Sequence, residues 1–394
     1  MDSLVPSERQ RLVVVVWGVL VSQVFLYPGL EDIIAALGVT SGIQAGMWFL
    51  VAEFGAFVAF AGIWGAISDS TGRRVPWVVL GALGGAGCYL LLPVVAPLGF
   101  GAILAVRVAG GALTIGAFSL SITMLMDLSG GHGRNMGAAG IAIGLGAALG
   151  AVVGGQLATM DPLAPLYAGA AALGTVAAVA GTVPDRAPQR TLEMGDLLAR
   201  LRGRPQLLVP YAFGFIDRLT AGFFALVGVF YFRETFGLDA ALAGATLALF
   251  FVPFALLQYP MGVLSDRVGR FVPVVGGSLA YGLVIVAVGL APVYPLAAGL
   301  MVLVGVCGAL VAPATMALVT DLTPPDERGT AMGGFNVFGS LGFLTGFLVG
   351  GVAVDAAGYL AAFAVVGGLE LAIAVLALPA VREISAQTSE SGAL

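Results

Sequence analysis

Long apolar runs separated by short polar turns set the rhythm of this chain. A helix crossing a bilayer needs about 20 mostly apolar residues, and about twelve segments meet that requirement. They fall at 12–30, 43–66, 76–95, 100–127, 136–158, 164–183, 207–233, 241–264, 272–291, 296–320, 331–353 and 358–379. None alternates with the period of two that a membrane barrel requires. The pattern predicts an all-α membrane protein of twelve spans. The first span has no small-residue cleavage site behind it and more membrane follows, so it reads as a helix and not as a removed leader. Met1–Gln10 and the residues from Ala380 onward are polar and read as disordered tails.

One polar turn occurs twice. Gly65-Ala-Ile-Ser-Asp69-Ser-Thr-Gly72-Arg73-Arg74 returns as Gly262-Val-Leu-Ser-Asp266-Arg267-Val-Gly269-Arg270-Phe271, 197 residues later in a chain of 394. Both copies lie between apolar runs, after spans 2 and 8. The chain therefore divides into a six-span half at 1–183, a polar linker at 184–206 and a second six-span half at 207–394. The linker is rich in Arg, and Leu197, Leu198 and Leu201 would line one face of a short surface helix.

The doubled G-x-x-x-D-x-x-G-R turn resembles the signature loop between helices 2 and 3 of the major facilitator superfamily (MFS) of secondary transporters, repeated there between helices 8 and 9. Two further motifs extend the resemblance. Arg107-Val-Ala-Gly110-Gly111 is similar to the R-x-x-x-G pattern of span 4, whose Arg that family associates with proton coupling. The run Gly146-x-x-x-Gly150-Ala-x-x-Gly154-Gly155 looks like the span-5 signature of the twelve-helix drug:proton antiporters, with Ala151 where that group has Pro. The same frame recurs in span 11 as Gly342-x-x-x-Gly346-x-x-x-Gly350-Gly351. Small residues four apart let helix backbones approach closely, so packing common to both halves is the plainer reading of the repeat.

Carried over residue by residue, the resemblance implies cytoplasmic gating by Gly65, Asp69, Gly72, Arg73 and Arg74 with Asp127 at the end of span 4. In the second half it implies Gly262, Asp266, Gly269 and Arg270 with Asp321 at the end of span 10. The family's carboxylate pairs with the signature Arg, placing Asp127 near Arg73 and Asp321 near Arg270. Solvated interface charges are the plainer alternative for both acids.

Composition sharpens the class. Apolar residues make up 59% of the chain and charged residues 10%, which excludes an ordinary soluble domain. All 17 basic residues are Arg, and 14 of them fall on one side if the amino terminus is inside. Arg233 alone lies outside, and Arg107 and Arg218 lie within spans. The positive-inside rule then places both termini in the cytoplasm of a cell-membrane protein. Without Lys there is no P-loop lysine. No nucleophile–base pair stands out either, so an enzyme and an ATP-driven pump are disfavoured. His132 is the one histidine and lacks a companion ligand, so no metal site or cofactor is expected. Cys88 and Cys307 lie inside spans 3 and 10, in different halves, and read as small packing residues rather than a disulfide. The expected partners are protons, a small-molecule substrate and membrane lipid around a monomer; no nucleic acid is expected.

Charges inside spans are the candidate chemistry, because a charge at mid-bilayer costs on the order of 3 kcal/mol. Glu53 lies about 14 residues from the inner end of span 2, about 20 Å deep. Arg107 cannot lose its charge and needs a carboxylate, carbonyls or water; Glu53 is the proposed carboxylate, and snorkelling to the interface is the alternative. Asp217 and Arg218 are adjacent in span 7, about 100° apart on the helix, so each calls for a partner on another helix. Asp217 is the leading candidate for a titrating coupling residue, with a static ion pair as the alternative. Glu370, in span 12, has no evident partner. Ser22, Gln23 and Tyr27 in span 1 either line a cavity or bond neighbouring helices. Pro253, Pro260 and Pro313 are able to kink spans 8 and 10 toward a cavity. The expected function is secondary transport by alternating access, with an inward proton driving a small amphipathic or cationic molecule outward. Nutrient uptake and a non-transporting sensor or scaffold are the alternatives.

Overall fold

The structure is a computed structural model describing residues 7–128, 132–185, 203–324 and 327–391. Hydrocarbon offers backbone groups no water to bond, so each apolar run satisfies its own amides as a helix; no strand occurs among the described residues. Nine described helices are long and apolar enough to cross a membrane. The last, Arg328–Ile384, turns at Gly358, whose φ of 80° lies in the left-handed region, and so supplies spans 11 and 12. Glu8–Val24 and Ala164–Ala180, of 17 residues each, are spans 1 and 6. The twelve spans of the sequence pattern are therefore all helical.

Span 1 starts earlier than its apolar run because Ser7 and Gln10 form a capping box. Ser7 Oγ accepts the Gln10 amide at 3.3 Å, and Gln10 Oε1 accepts the Ser7 amide at 2.7 Å. It ends at Val24, ahead of Pro28 and Gly29, and the chain turns into a short helix, Leu30–Ala36. Span 2 is Ile43–Thr71, span 3 Val75–Val95, span 4 Phe100–Met126 and span 5 His132–Met160. Span 7 runs from Leu208 to Phe236 through a π-helical turn at Phe224–Gly228. Span 8 is Ala240–Val268, span 9 Val272–Gly289 and span 10 Tyr294–Asp321. Spans 8 and 10 continue as helix past Pro253, Pro260 and Pro313. Span 12 is helical to Ser391, beyond the apolar run and past Pro379. The polar stretch there contains Arg382, Glu383 and Ala386, residues that favour helix, so it corrects the reading of a disordered tail. The linker residues 186–202, with Leu197, Leu198 and Leu201, lie outside the described residues, as do the side chain of His132 and residues 1–6.

The chain forms two compact units, Met1–Thr191 with Phe232–Phe251, and Leu192–Tyr231 with Val252–Leu394. They follow the two halves, except that the junction of spans 7 and 8 belongs to the first unit. The glycine frames of spans 5 and 11 do the same work in each. A side chain on Gly154 would strike the Phe25 carbonyl of span 1, and one on Gly150 would stand 2.9 Å from Val24. Gly146 faces Trp17, with 3.1 Å for an added Cβ. Gly155 meets the Ala240 backbone inside the same unit. In the second unit, Gly342 and Gly346 face the backbone carbonyls of Phe215 and Leu219 of span 7, and Gly350 faces Phe223, with 2.8 Å for an added Cβ. Gly351 is buried. Span 5 on span 1 and span 11 on span 7 are thus equivalent seams, closed by absent side chains.

Substitution at a seam forces backbone apart, which costs about 1–3 kcal/mol or more. Gly154→Leu and Gly342→Leu are each expected to lower the thermal midpoint of the detergent-purified protein. Gly368→Leu, where nothing lies within 4 Å of an added Cβ, is expected to leave it unchanged. Fluorescence-detected size exclusion after a heating series measures this.

Candidate functional site

The two repeated loops begin alike. Span 2 ends at Thr71 and span 8 at Val268, and each is followed by a glycine in the left-handed region, Gly72 at φ 63° and Gly269 at φ 82°. That geometry ends a helix without penalty only for glycine. Arg74 stands just ahead of span 3 and Phe271 just ahead of span 9, so Arg270 is the counterpart of Arg73 and the second copy has no arginine in the place of Arg74.

The ion pairs do not follow that alignment. Arg74, 3% exposed, forms an ion pair with Asp127. Arg270 pairs with Asp321 through Nε at 3.0 Å and with Asp266 through Nη1 at 2.6 Å, and Nη1 also reaches Ser265 Oγ at 3.1 Å. Burial works against the Arg270 charge, and the bonds to Asp266 and Asp321 outweigh it, holding the guanidinium above its ordinary value. Arg73 is exposed and, like Asp69, has no ion pair with a described residue. The expectation that Asp127 meets Arg73 is corrected: the buried Arg74, next to the start of span 3, takes the pair and Arg73 is left exposed. Asp185, just after span 6, accepts the backbone amides of Arg74 at 2.8 Å and Val75 at 3.2 Å. A carboxylate there suits the positive end of span 3. Neither Gly65 nor Gly262 is held by close packing, since an added Cβ meets nothing at the first and only Pro313, at 3.6 Å, at the second.

Deep in the first unit, the structure brings Glu53 and Arg107 together. The Arg107 guanidinium contacts the Glu53 carboxylate, donates through Nε to the Phe49 carbonyl at 3.2 Å, and lies over the Phe49 ring at 4.2 Å. Tyr89 donates to the other Glu53 oxygen at 3.4 Å. Gly111, one turn beyond Arg107, explains the spacing. Any side chain there would strike the Glu53 carbonyl, so glycine lets span 2 close on span 4. Both charges are nearly inaccessible, at 2% and 4% exposure, and each has its counter-charge. Tyr27 lies within electrostatic range of the pair. Ser22 donates to the Val19 carbonyl of its own helix at 2.7 Å, while Gln23 Nε2 is buried with no partner among the described residues. All three residues are buried.

Span 7 is arranged differently. Asp217 is 4% exposed, and its one cation is Arg218, whose Nε stands 3.8 Å from Oδ2 while its side chain is 39% exposed. Asp217 Oδ1 is buried without a hydrogen-bond partner among the described residues. Among the described residues neither finds the charge on another helix that their angular separation called for; long-side-chain reach gives a weak pairing between neighbours instead.

At the end of the first unit remote from the loops, Arg233 grips Asp32 through Nη1 at 2.8 Å and Nη2 at 2.9 Å, with Glu31 at 3.8 Å. This two-pronged pair was legible only as an oddity: Arg233 is the lone arginine on its side, and Glu31 and Asp32 lie at the end of span 1.

A family model described as Major Facilitator Superfamily matches residues 211–393. An uncharacterised MFS-type transporter of Methanocaldococcus jannaschii is 28% identical over 169 residues, 41% of this chain and 44% of that protein, so the match spans less than half of the relative. The nucleoside transporter NupG superposes with a TM-score of 0.75 at 14% identity, covering 95% of this chain and 99% of that one. The human organic anion transporter MFSD10 does so at 0.67 and 23%, covering 94% and 100%. The fold is that of the major facilitator superfamily. The family model matches the carboxyl-terminal half of this chain, and the likeness to the solved transporters extends that fold over nearly all of it.

The first loop pair and the Glu53–Arg107 pair make separate predictions. Arg74→Ala is expected to destabilise by about 1–3 kcal/mol, the worth of a charged hydrogen bond left unmade, and Arg73→Ala by less than about 0.5 kcal/mol. Glu53→Gln strands a buried guanidinium and is expected to cost about 3–5 kcal/mol, whereas Glu53→Leu with Arg107→Met removes both charges and recovers most of that loss. Thermal midpoints of the four variants check both statements.

Proposed function

We propose that this protein is a proton-coupled secondary transporter working by alternating access, and that it exports small amphipathic or cationic molecules. One observation carries the reading. Of the two acids considered for coupling, Glu53 is neutralised by Arg107, a carbonyl, a ring and a hydroxyl, whereas Asp217 is buried with one oxygen unpartnered and only a half-exposed arginine beside it. A proton can leave and return to a group whose surroundings do not already compensate its charge, and its arrival biases a two-state element. Asp217 is thus the coupling residue, while Glu53 and Arg107 hold spans 2 and 4 together. Uncompensated acid in the second unit favours a cationic substrate.

The loop pairs, Arg74–Asp127 and Arg270 with Asp266 and Asp321, act as cytoplasmic latches in this scheme, with both termini inside a cell membrane by the arginine distribution. Arg233 with Asp32 and Glu31 is the counterpart on the outer side. The protein works as a monomer in lipid. Uptake is the second reading, because the span-5 glycine frame that resembles antiporters serves the same packing role in span 11.

Transport of a cationic dye in inverted vesicles with an imposed proton gradient tests this. Wild type is expected to move dye into the vesicles only with the gradient, and Asp217→Asn to abolish the gradient dependence while Glu53→Gln, if folded, retains it. Gradient-driven transport that survives Asp217→Asn refutes the coupling role, and accumulation only in right-side-out vesicles replaces export by uptake.

A further inference from the structure

Glu370 of span 12 is fully buried, with 0% exposure. Ser278 of span 9 donates its hydroxyl to Oε1, and Oε2 has no partner among the described residues. The contact is enforced one turn away. An added Cβ on Gly367 would stand 2.6 Å from the Gly282 carbonyl, and one on Gly282 would stand 2.7 Å from that of Gly367. Two glycines thus bring spans 9 and 12 to backbone contact, which presses Ser278 against Glu370 and leaves little room for water.

The groups facing Glu370 come from three other helices. Span 7 contributes Asp217, within electrostatic range of Glu370, and Arg218 beside it. Span 9 contributes Tyr281, which senses both acids and Arg218, and span 10 contributes Cys307. Asp217 Oδ1 and the Tyr281 hydroxyl are, like Glu370 Oε2, buried and unpartnered. With both acids ionised the cluster holds two negative charges and one positive, the positive one partly in solvent. Hydrocarbon does not tolerate that excess; an acid so placed takes a partner or a proton. No second cation faces it among the described residues.

We propose that Glu370 is a second proton-binding carboxyl of the carboxyl-terminal unit, coupled through charge to Asp217. A proton taken from water forms an O–H bond at Oε2, and the cluster passes from a net charge of −1 to neutral. Ser278 holds the other oxygen and so fixes which one is protonated. This deepens the proton-coupled reading of the same unit and rests on it for its role in transport, not for the binding of the proton.

Infrared difference titration of the full-length protein in lipid nanodiscs reads the proton directly. Wild type is expected to show a carboxylic C=O band that shifts in heavy water, appears on acidification and moves when glutamate alone is carbon-13 labelled. Glu370→Gln is expected to remove that band. Ser278→Ala is expected to raise its frequency, and Asp217→Asn to displace its titration midpoint by about one unit, as for interacting sites. A spectrum in which the labelled glutamates give no such band overturns the assignment without any variant having to fold. A band unchanged in Glu370→Gln overturns it as well, as does one abolished at fixed pH by sodium, which would make the ligand a metal cation. A midpoint indifferent to Asp217→Asn overturns the coupling. A protein that keeps the band but moves no substrate leaves this inference standing and removes the transport reading instead.

Discussion

A guanidinium at mid-bilayer depth must bring its counter-charge with it, and the contact of Arg107 with Glu53 is where this chain meets that demand. An arginine cannot shed its proton, so burial leaves only pairing. The pairing in turn dictates the neighbourhood. Gly111 is bare so that span 2 can close, Phe49 turns its carbonyl and ring to the guanidinium, and Tyr89 bonds the far carboxylate oxygen. Spans 2, 3 and 4 are held in one arrangement by a single charge that has nowhere else to go.

The repeat makes the comparison between units informative. Backbone seams are duplicated: span 5 lies on span 1 and span 11 on span 7 through glycines in the same frame, and both loops end their helices on a left-handed glycine. Charge is not duplicated. The first unit closes its buried acid with a buried base, while the second sets Asp217 and Glu370 against one partly solvated Arg218. Packing tolerates little drift between copies because any Cβ at a seam is a clash. Charge placement is free to diverge wherever a proton can substitute for a cation.

Much of this is legible in the sequence. Twelve apolar runs gave twelve helices, since hydrocarbon leaves the backbone few alternatives. Glu53 and Arg107 pointed each to the other because an arginine inside a span needs a carboxylate, and two long side chains can bridge a difference in depth. What escaped was local register. Arg73 and Arg74 are adjacent and of the same residue type, and a sequence pattern does not say which of two neighbours ahead of a helix turns inward. Span 12 likewise outran its apolar run, because helix-forming polar residues need no membrane to continue a helix.

Glu370 and Arg233 escaped for a different reason. Their partners, Ser278 and the Glu31–Asp32 pair, lie 92 and about 201 residues away in sequence, and a helical period says which face a residue occupies but not which helix meets it. Glycine is the signal that could have narrowed the choice. Gly282 and Gly367 sit one turn from Ser278 and Glu370, and close backbone approach is the common circumstance in which a short serine reaches an acid on another helix. Glu53 has the same arrangement with Gly111. In both units, then, the residue beside a buried acid that matters most to its surroundings is one with no side chain: it sets how near the next helix comes, and so whether the acid meets a base, a hydroxyl or only a proton.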